Sequence, residues 1–251
     1  MSFTSNEFMA RPKGPKRAVI AVLVVAVVAT TVGYVLGSGG KATGQASGSA
    51  TPGALAPHQP GAANPVASAT ASTAANLGPI HLVQGSLLVN DLYTEYPHST
   101  VGAISAAVEY ITALGSTLDP DRSATVARLA ADPSYTTAQN DAATGTQNTR
   151  AALGLPATGQ VPQGYSVEVD AVAYQLKSED ANDAEVLLLA YFTEATPSQG
   201  MVARSAVFPM VMHWAVGDWK FMPMDSQDYS SLAVQPGSAQ AAGDGWIPFT
   251  P

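Results

Sequence analysis

The sequence has no cysteine and only 4 histidines in 251 residues. That excludes a disulfide framework, a thiol nucleophile, an iron–sulfur cluster and Cys-ligated zinc. Export stays open, because a large enough core needs no cross-links. Charged residues are scarce at 12% and aromatic residues amount to 7%. With 22 Gly and 18 Pro, part of the chain is linker rather than packed core. The rest suits one domain of ordinary size plus appendages.

The charge that is present is unevenly placed. Residues 1–17 carry Arg11, Lys13, Lys16 and Arg17 against Glu7, a net +3. From Lys41 onward, seven basic and eighteen acidic residues leave −11. An acidic body repels phosphate backbones, so no direct nucleic-acid partner is expected.

Residues 18–37 run for twenty positions without a charge. As a helix they would be ~30 Å long, the thickness of a bilayer's hydrocarbon core. They lack the polar stripe that a soluble helix of this length carries. Four basic residues precede the run and only Lys41 follows closely. Residues 1–17 are therefore expected to be a cytoplasmic stub, with the main domain on the outer face of the plasma membrane. A cleavable signal peptide shares the basic start, but its apolar region is only ~7–15 residues. Ala29, Gly33 and Gly37 recur every four residues, a small-residue face that lets two membrane helices approach. Gly33 and Gly37 are therefore candidate interaction residues, and a homo-oligomer is a candidate assembly.

Residues 38–79 hold one charge and hardly any large apolar side chain. Such a segment cannot bury enough surface to offset its ordering entropy, and a flexible Ala/Gly/Pro/Ser tether is expected. Its r.m.s. span would be ~35 Å. Ser38-Gly39-Gly40-Lys41 matches S-x-x-K and faintly a phosphate loop. Both patterns need packed elements on either side, which low-complexity sequence does not supply.

A folded domain is expected over residues 80–228. Residues 80–93 read as one extended segment or two short ones. Ser99 or Thr100 is placed to cap a helix over 101–118 that is apolar nearly all round, the mark of a buried helix. Asp119-Pro120 and Asp132-Pro133 announce two more helices, running to about Ala131 and Leu153. After Pro162 the period becomes two, with strands over 165–177, 183–195, 201–216 and 219–224. Gly217-Asp218 reads as the turn of the last hairpin, pairing Val216 with Trp219. Met212, Trp214, Val216, Trp219 and Phe221 then share one face. Helices followed by an antiparallel meander give the α+β class. Residues 229–251 read as a loose tail ending in Trp246 and Phe249, two aromatic anchors that either fold back or dock on a neighbour.

Few residues suggest chemistry. Asp170, Tyr165, Tyr174 and Tyr191 are the types an isomerase would use, but Asp170 shares an alternating, solvated strand face with Glu168. His58, His81, His98 and His213 are far apart and form no i, i+4 pair, so no metal site is expected. Glu179, Asp180, Asp183 and Glu185 lack the spacing of a calcium loop and read as an acidic hairpin tip in solvent. No catalytic residue and no cofactor are assigned.

The order of these parts resembles membrane proteins of actinobacterial conjugative elements. These are similar to the bitopic scaffold subunits of type IV secretion and conjugation machines. The likeness is carried by Tyr96-Pro97-His98-Ser99-Thr100-Val101-Gly102-Ala103, Ala106-Ala107 and Tyr110. To these add residues 214–220, Trp214 to Lys220, and Gly245-Trp246. The resemblance implies a nuclear-transport-factor-two-like (cystatin-like) outer domain, with about three helices packed on a curved antiparallel sheet. It also implies a non-enzymatic structural subunit that docks on other envelope components of a transfer machine. The competing classes are a small-ligand binder or isomerase-like enzyme of the same fold, and an exported sensing domain. A deep apolar cone with a buried carboxylate would favour the enzyme. A cone filled by Tyr110, Ile111 and the tryptophans would favour the scaffold.

Overall fold

The computed structural model describes residues 77–224 and 227–250. The expected span over 18–37, with Gly33 and Gly37, lies outside these residues, as do His58 and nearly all of the tether. Among the described residues no helix is long and apolar enough to cross a membrane.

The described chain is α+β, with a few helices on a curved half-barrel sheet. Three short strands come first: β1 (Ile80–His81), β2 (Leu87–Val89) and β3 (Leu92–Thr94). β2 and β3 form a hairpin of their own. Its turn residues, Asn90 and Asp91, both adopt positive φ, which short polar side chains tolerate. The long helix α1 (Thr100–Gly115) starts at Ser99, whose hydroxyl accepts from the Gly102 N–H at 3.1 Å. Gly102 sits so close to the Pro97 carbonyl that any Cβ there would collide with it. As its apolar circumference requires, α1 is buried along its middle from Gly102 to Ala107 and again at Tyr110 and Ile111.

Helix α2 (Pro120–Ala130) begins as expected, with Asp119 accepting from the Asp121 N–H at 3.0 Å and Pro120 in the first turn. Helix α3 (Ala138–Ala152) starts five residues later than the Asp132-Pro133 signal suggested. The Asp132 carboxylate is occupied elsewhere. It accepts from the Ser134 N–H and hydroxyl and from His213, which turns residues 132–137 into a connection. Arg150, fully buried near the end of α3, donates to the carbonyls of Leu118, Pro156, Thr158 and Gly159. It thereby fastens the loops at that end of the helix pair.

Four antiparallel strands follow: β4 (Ser166–Glu179), β5 (Asp183–Thr196), β6 (Gly200–Ala215) and β7 (Asp218–Met222). Two register shifts in the β4–β5 pair bend the sheet. The last hairpin turns one residue earlier than expected. Trp214 pairs with Trp219, so Val216 and Gly217 form the turn, both at positive φ. The residue faces survive this shift, except that Val216 is 84% exposed at the tip.

The segment after 228 is not a loose tail. It forms a 3-10 turn (Ser230–Leu232), a short helix α4 (Ala239–Gly243) and β8 (Ile247–Thr250). β8 pairs antiparallel with β4 and parallel with β1, giving the strand order β1-β8-β4-β5-β6-β7. Of three apolar clusters among the described residues, the two larger lie on opposite sides of the sheet. Val186, Leu188, Phe208 and Met212 pack with Tyr110 of α1, while Leu187, Leu189 and Val207 pack with Val234, Ala241 and Trp246. The physical reason is visible in β5, which is buried without a break from Val186 to Ala190. A strand of that kind needs cover on both faces.

Candidate functional site

The space between α1 and the sheet is the cone whose contents separate the enzyme reading from the scaffold reading. It is filled by Tyr96, Tyr110, Trp219 and Phe221. The Tyr96 and Tyr110 rings meet edge-to-face at 6.1 Å, and Tyr110 meets Phe221 at 6.4 Å. A buried carboxylate is present, but it is Asp218, 3% exposed, and not Asp170. Asp170 and Glu168 are exposed along β4.

Asp218 is saturated. Its Oδ1 accepts the backbone N–H groups of Tyr96 at 2.8 Å and Trp219 at 2.9 Å. Its Oδ2 accepts from the Lys220 ammonium at 2.9 Å and the Tyr110 hydroxyl at 3.2 Å. The single Tyr110 proton is shared with the Trp219 carbonyl at 3.1 Å, and Lys220 also donates to the Leu129 carbonyl at 2.8 Å. Burial, then the Asp218 charge, raises the Tyr110 phenol far above its ordinary range, so it remains a donor. A buried carboxylate with both oxygens occupied by these four donors is not free to take a proton from a ligand. It works as a lock tying the chain before α1 to β7 and α2. Among the described residues, Thr250 Oγ1 is the one buried side-chain polar atom without a partner.

The lock joins two sequence motifs over a hundred residues apart, at 96–103 and 214–220. The Trp219 indole N–H donates to the Pro97 carbonyl at 2.9 Å. His98 stacks on Trp214 with ring centres 4.1 Å apart and planes 9° from parallel. Its Nε2 donates to the Ala181 carbonyl at 2.7 Å, so that nitrogen carries the proton. Next to this cluster His213 Nδ1 meets the Asp132 carboxylate at 2.8 Å. The hydrogen bond to Asp132 is the main cause of a raised His213 pKa, which burial opposes and Asp183 and Asp180 reinforce. Burial alone would raise the Asp132 pKa, but Ser134 and His213 hold it below its ordinary value.

The remaining sequence candidates are dispersed. Trp246 is buried and its indole N–H donates to the Leu232 carbonyl at 3.2 Å. Phe249 stacks on Tyr174 at 5.7 Å, and the Tyr174 hydroxyl donates to the Gly78 carbonyl. Both aromatic residues thus pack on their own domain, Trp246 buried and Phe249 half-buried. Tyr191 accepts from Gln235, and Tyr165 packs beside Leu118 and Val167. His81 lies exposed in β1. Asp180 closes its own turn by accepting from the Asn182 and Asp183 N–H groups. Glu185 accepts from Tyr229, and no group of three His, Cys, Asp or Glu able to hold a metal occurs among the described residues.

Sequence reasoning missed Asp218, because it read Gly217-Asp218 as the turn, whereas Asp218 opens β7 opposite Ala215. It also missed the cover on the far side of the sheet. The signal was in the sequence: residues 186–190, five apolar positions in a row, contradict a half-solvated strand. Comparison with protein-family models, with curated proteins and with solved structures finds no match to this chain. The resemblance to conjugative-element proteins rests on the sequence motifs.

Proposed function

We propose that this chain is a membrane-anchored, non-enzymatic structural subunit of a conjugative transfer or type IV secretion-like apparatus. In this reading residues 18–37 hold it in the plasma membrane. Its α+β domain, of the nuclear-transport-factor-two-like kind, stands on the outer face and docks on other envelope components. The observation that carries the docking reading over an isomerase-like enzyme is the saturated Asp218. The interior between α1 and the sheet is occupied by aromatic rings and a closed hydrogen-bond lock. A ligand-binding cone of this fold would instead keep a polar group available to its contents.

In-cell crosslinking followed by identification of the captured proteins tests the reading. Envelope or transfer components are expected in the capture, and their absence overturns it. Protease added outside intact cells tests the anchor. It should remove the domain and spare residues 1–17, whereas a protected domain overturns the topology.

A further inference from the structure

The sheet has open edges, and they are treated differently. On β7 the edge is covered: the Asp132 N–H donates to the Phe221 carbonyl at 2.9 Å and Ala131 bridges to Phe221. On β4, residues 166–171 have no strand on their outer side among the described residues, since β8 pairs only at Ala173 and Tyr174. That edge is blunted, because the Val169 N–H donates to the Ser116 hydroxyl and Glu168 and Asp170 stand exposed along it. Charges of this kind discourage edge-to-edge pairing.

The β6 edge is less protected: among the described residues its one blunting device is Pro209, near the end of the free stretch. β7 pairs with β6 only from Val211 onward, while β5 pairs with β6 on its other side back to Gly200. Residues 200–210 therefore present an outer row of backbone groups with no strand partner among the described residues. Gly200 to Arg204 are all exposed, and Met201 and Val202 are 76% and 43% exposed. The one charge in this stretch, Arg204, is already offset by Glu194 at 2.5 Å and lies over the Phe192 ring.

We propose that residues 200–210 of β6 pair antiparallel with the same residues of a second copy of this chain. An antiparallel strand edge is complementary to itself about a twofold axis, so one surface serves both partners. Charge selects the edge. Residues 77–250 hold six basic and eighteen acidic residues, and two such bodies repel through most faces. At the β6 edge they meet without an unpaired like charge, whereas at the β4 edge Glu168 and Asp170 would face their own copies. The inference rests on the docking reading in naming one partner, and it needs neither the membrane nor the transfer apparatus.

The absence of cysteine makes the test direct. Single cysteines are placed by Ala203→Cys and Ser205→Cys, near the middle of the free stretch, and by Glu168→Cys as an exposed control. The purified full chain in detergent is then oxidised. Disulfide-linked dimer is expected from Ser205→Cys at roughly tenfold the control yield, because the bond forms only at short Cα separations. Adding Met201→Lys and Val202→Lys should return the yield to the control level while leaving the unfolding midpoint in place. Yields at 203 and 205 no higher than at 168, in chains with unchanged circular dichroism, overturn the inference. A cell in which Ser205→Cys links to another envelope protein, while the purified chain stays monomeric, also overturns it and leaves the docking reading standing. Dimer formation at 205 without any captured envelope component supports the inference and overturns that reading.

Discussion

On one side β5 faces α1 and the aromatic rings around Asp218; on the other it faces the returning residues 229–246. The first closure combines a long helix with a charged hydrogen-bond lock, Asp218 to Lys220, Tyr110 and Tyr96. The second is a clasp of Val234, Ala241 and Trp246 over Leu187, Leu189 and Val207, whose polar ties to the sheet, Tyr229–Glu185, Gln235–Tyr191 and Asp244–Gln175, lie at its solvated rim. A lock fixes relative position through directional bonds, whereas a clasp mainly removes apolar area from water. The helix side should therefore respond to single polar substitutions, and the far side to loss of apolar surface.

Removal of residues 229–251 would sharpen this contrast most. It uncovers Leu187, Leu189 and Val207, for a loss of roughly 4–9 kcal/mol at ~1.5–3 kcal/mol per side chain. That approaches the whole stability of an ordinary domain, ~5–15 kcal/mol. The shortened chain should show no cooperative urea transition; a transition like that of the intact chain would mean the clasp is dispensable. Asp218→Ala comes next, at about 3–5 kcal/mol, because it strands the Lys220 charge and the Tyr96 N–H in the interior. A loss below about 1 kcal/mol by denaturant titration would mean that water replaces the carboxylate and no lock exists.

Tyr174→Phe keeps the ring stack on Phe249 and removes only the bond to the Gly78 carbonyl. The expected loss is about 1 kcal/mol, and a loss as large as that of Asp218→Ala would show that the helix-side core, to which Tyr174 and Phe249 belong, is held by a second polar lock at its β8 end. The smallest effect belongs to Asp132 and His213, which tie the α2–α3 connection to β6. The raised His213 pKa gives stability that is full below the unfolded value of 6.5 and is lost as pH rises through the folded value. The lowered Asp132 pKa gives stability present above 3.8 and lost as pH falls through its folded value. The pair therefore acts best between about pH 4 and pH 6.5. The His213 side chain is 37% exposed, so its share is under about 1 kcal/mol. The stability gap between the native chain and His213→Gln should shrink from pH 5.5 to pH 8.5; a gap independent of pH would remove the ion pair from the description.

Much of the helix side was legible because its signals are local. Ser99 and Asp119 cap helices where they stand, and the period-two run after Pro162 resolves into β4 to β7. Asp132 misled because its carboxylate bonds to the backbone of its own turn, as in a cap, and also reaches His213, eighty-one residues on. Val216 misled because an exposed β-branched residue at positive φ is not what a turn ordinarily selects. Residues 229–250 misled because composition alone makes Ala, Gly and Pro look like linker, and nothing local shows that another surface awaits them.

Local chemistry is enough to specify the α+β class, the helix caps at 99 and 119, the strand periods and which face of the last hairpin is aromatic. These follow from side-chain spacing and from bonds spanning a few residues. Only the tertiary structure decided that Asp218 is buried and saturated, that the two aromatic motifs interlock, and that the last residues complete the sheet. Each of those depends on partners far along the chain, and burial is a property of the surface that arrives, not of the residue that waits for it.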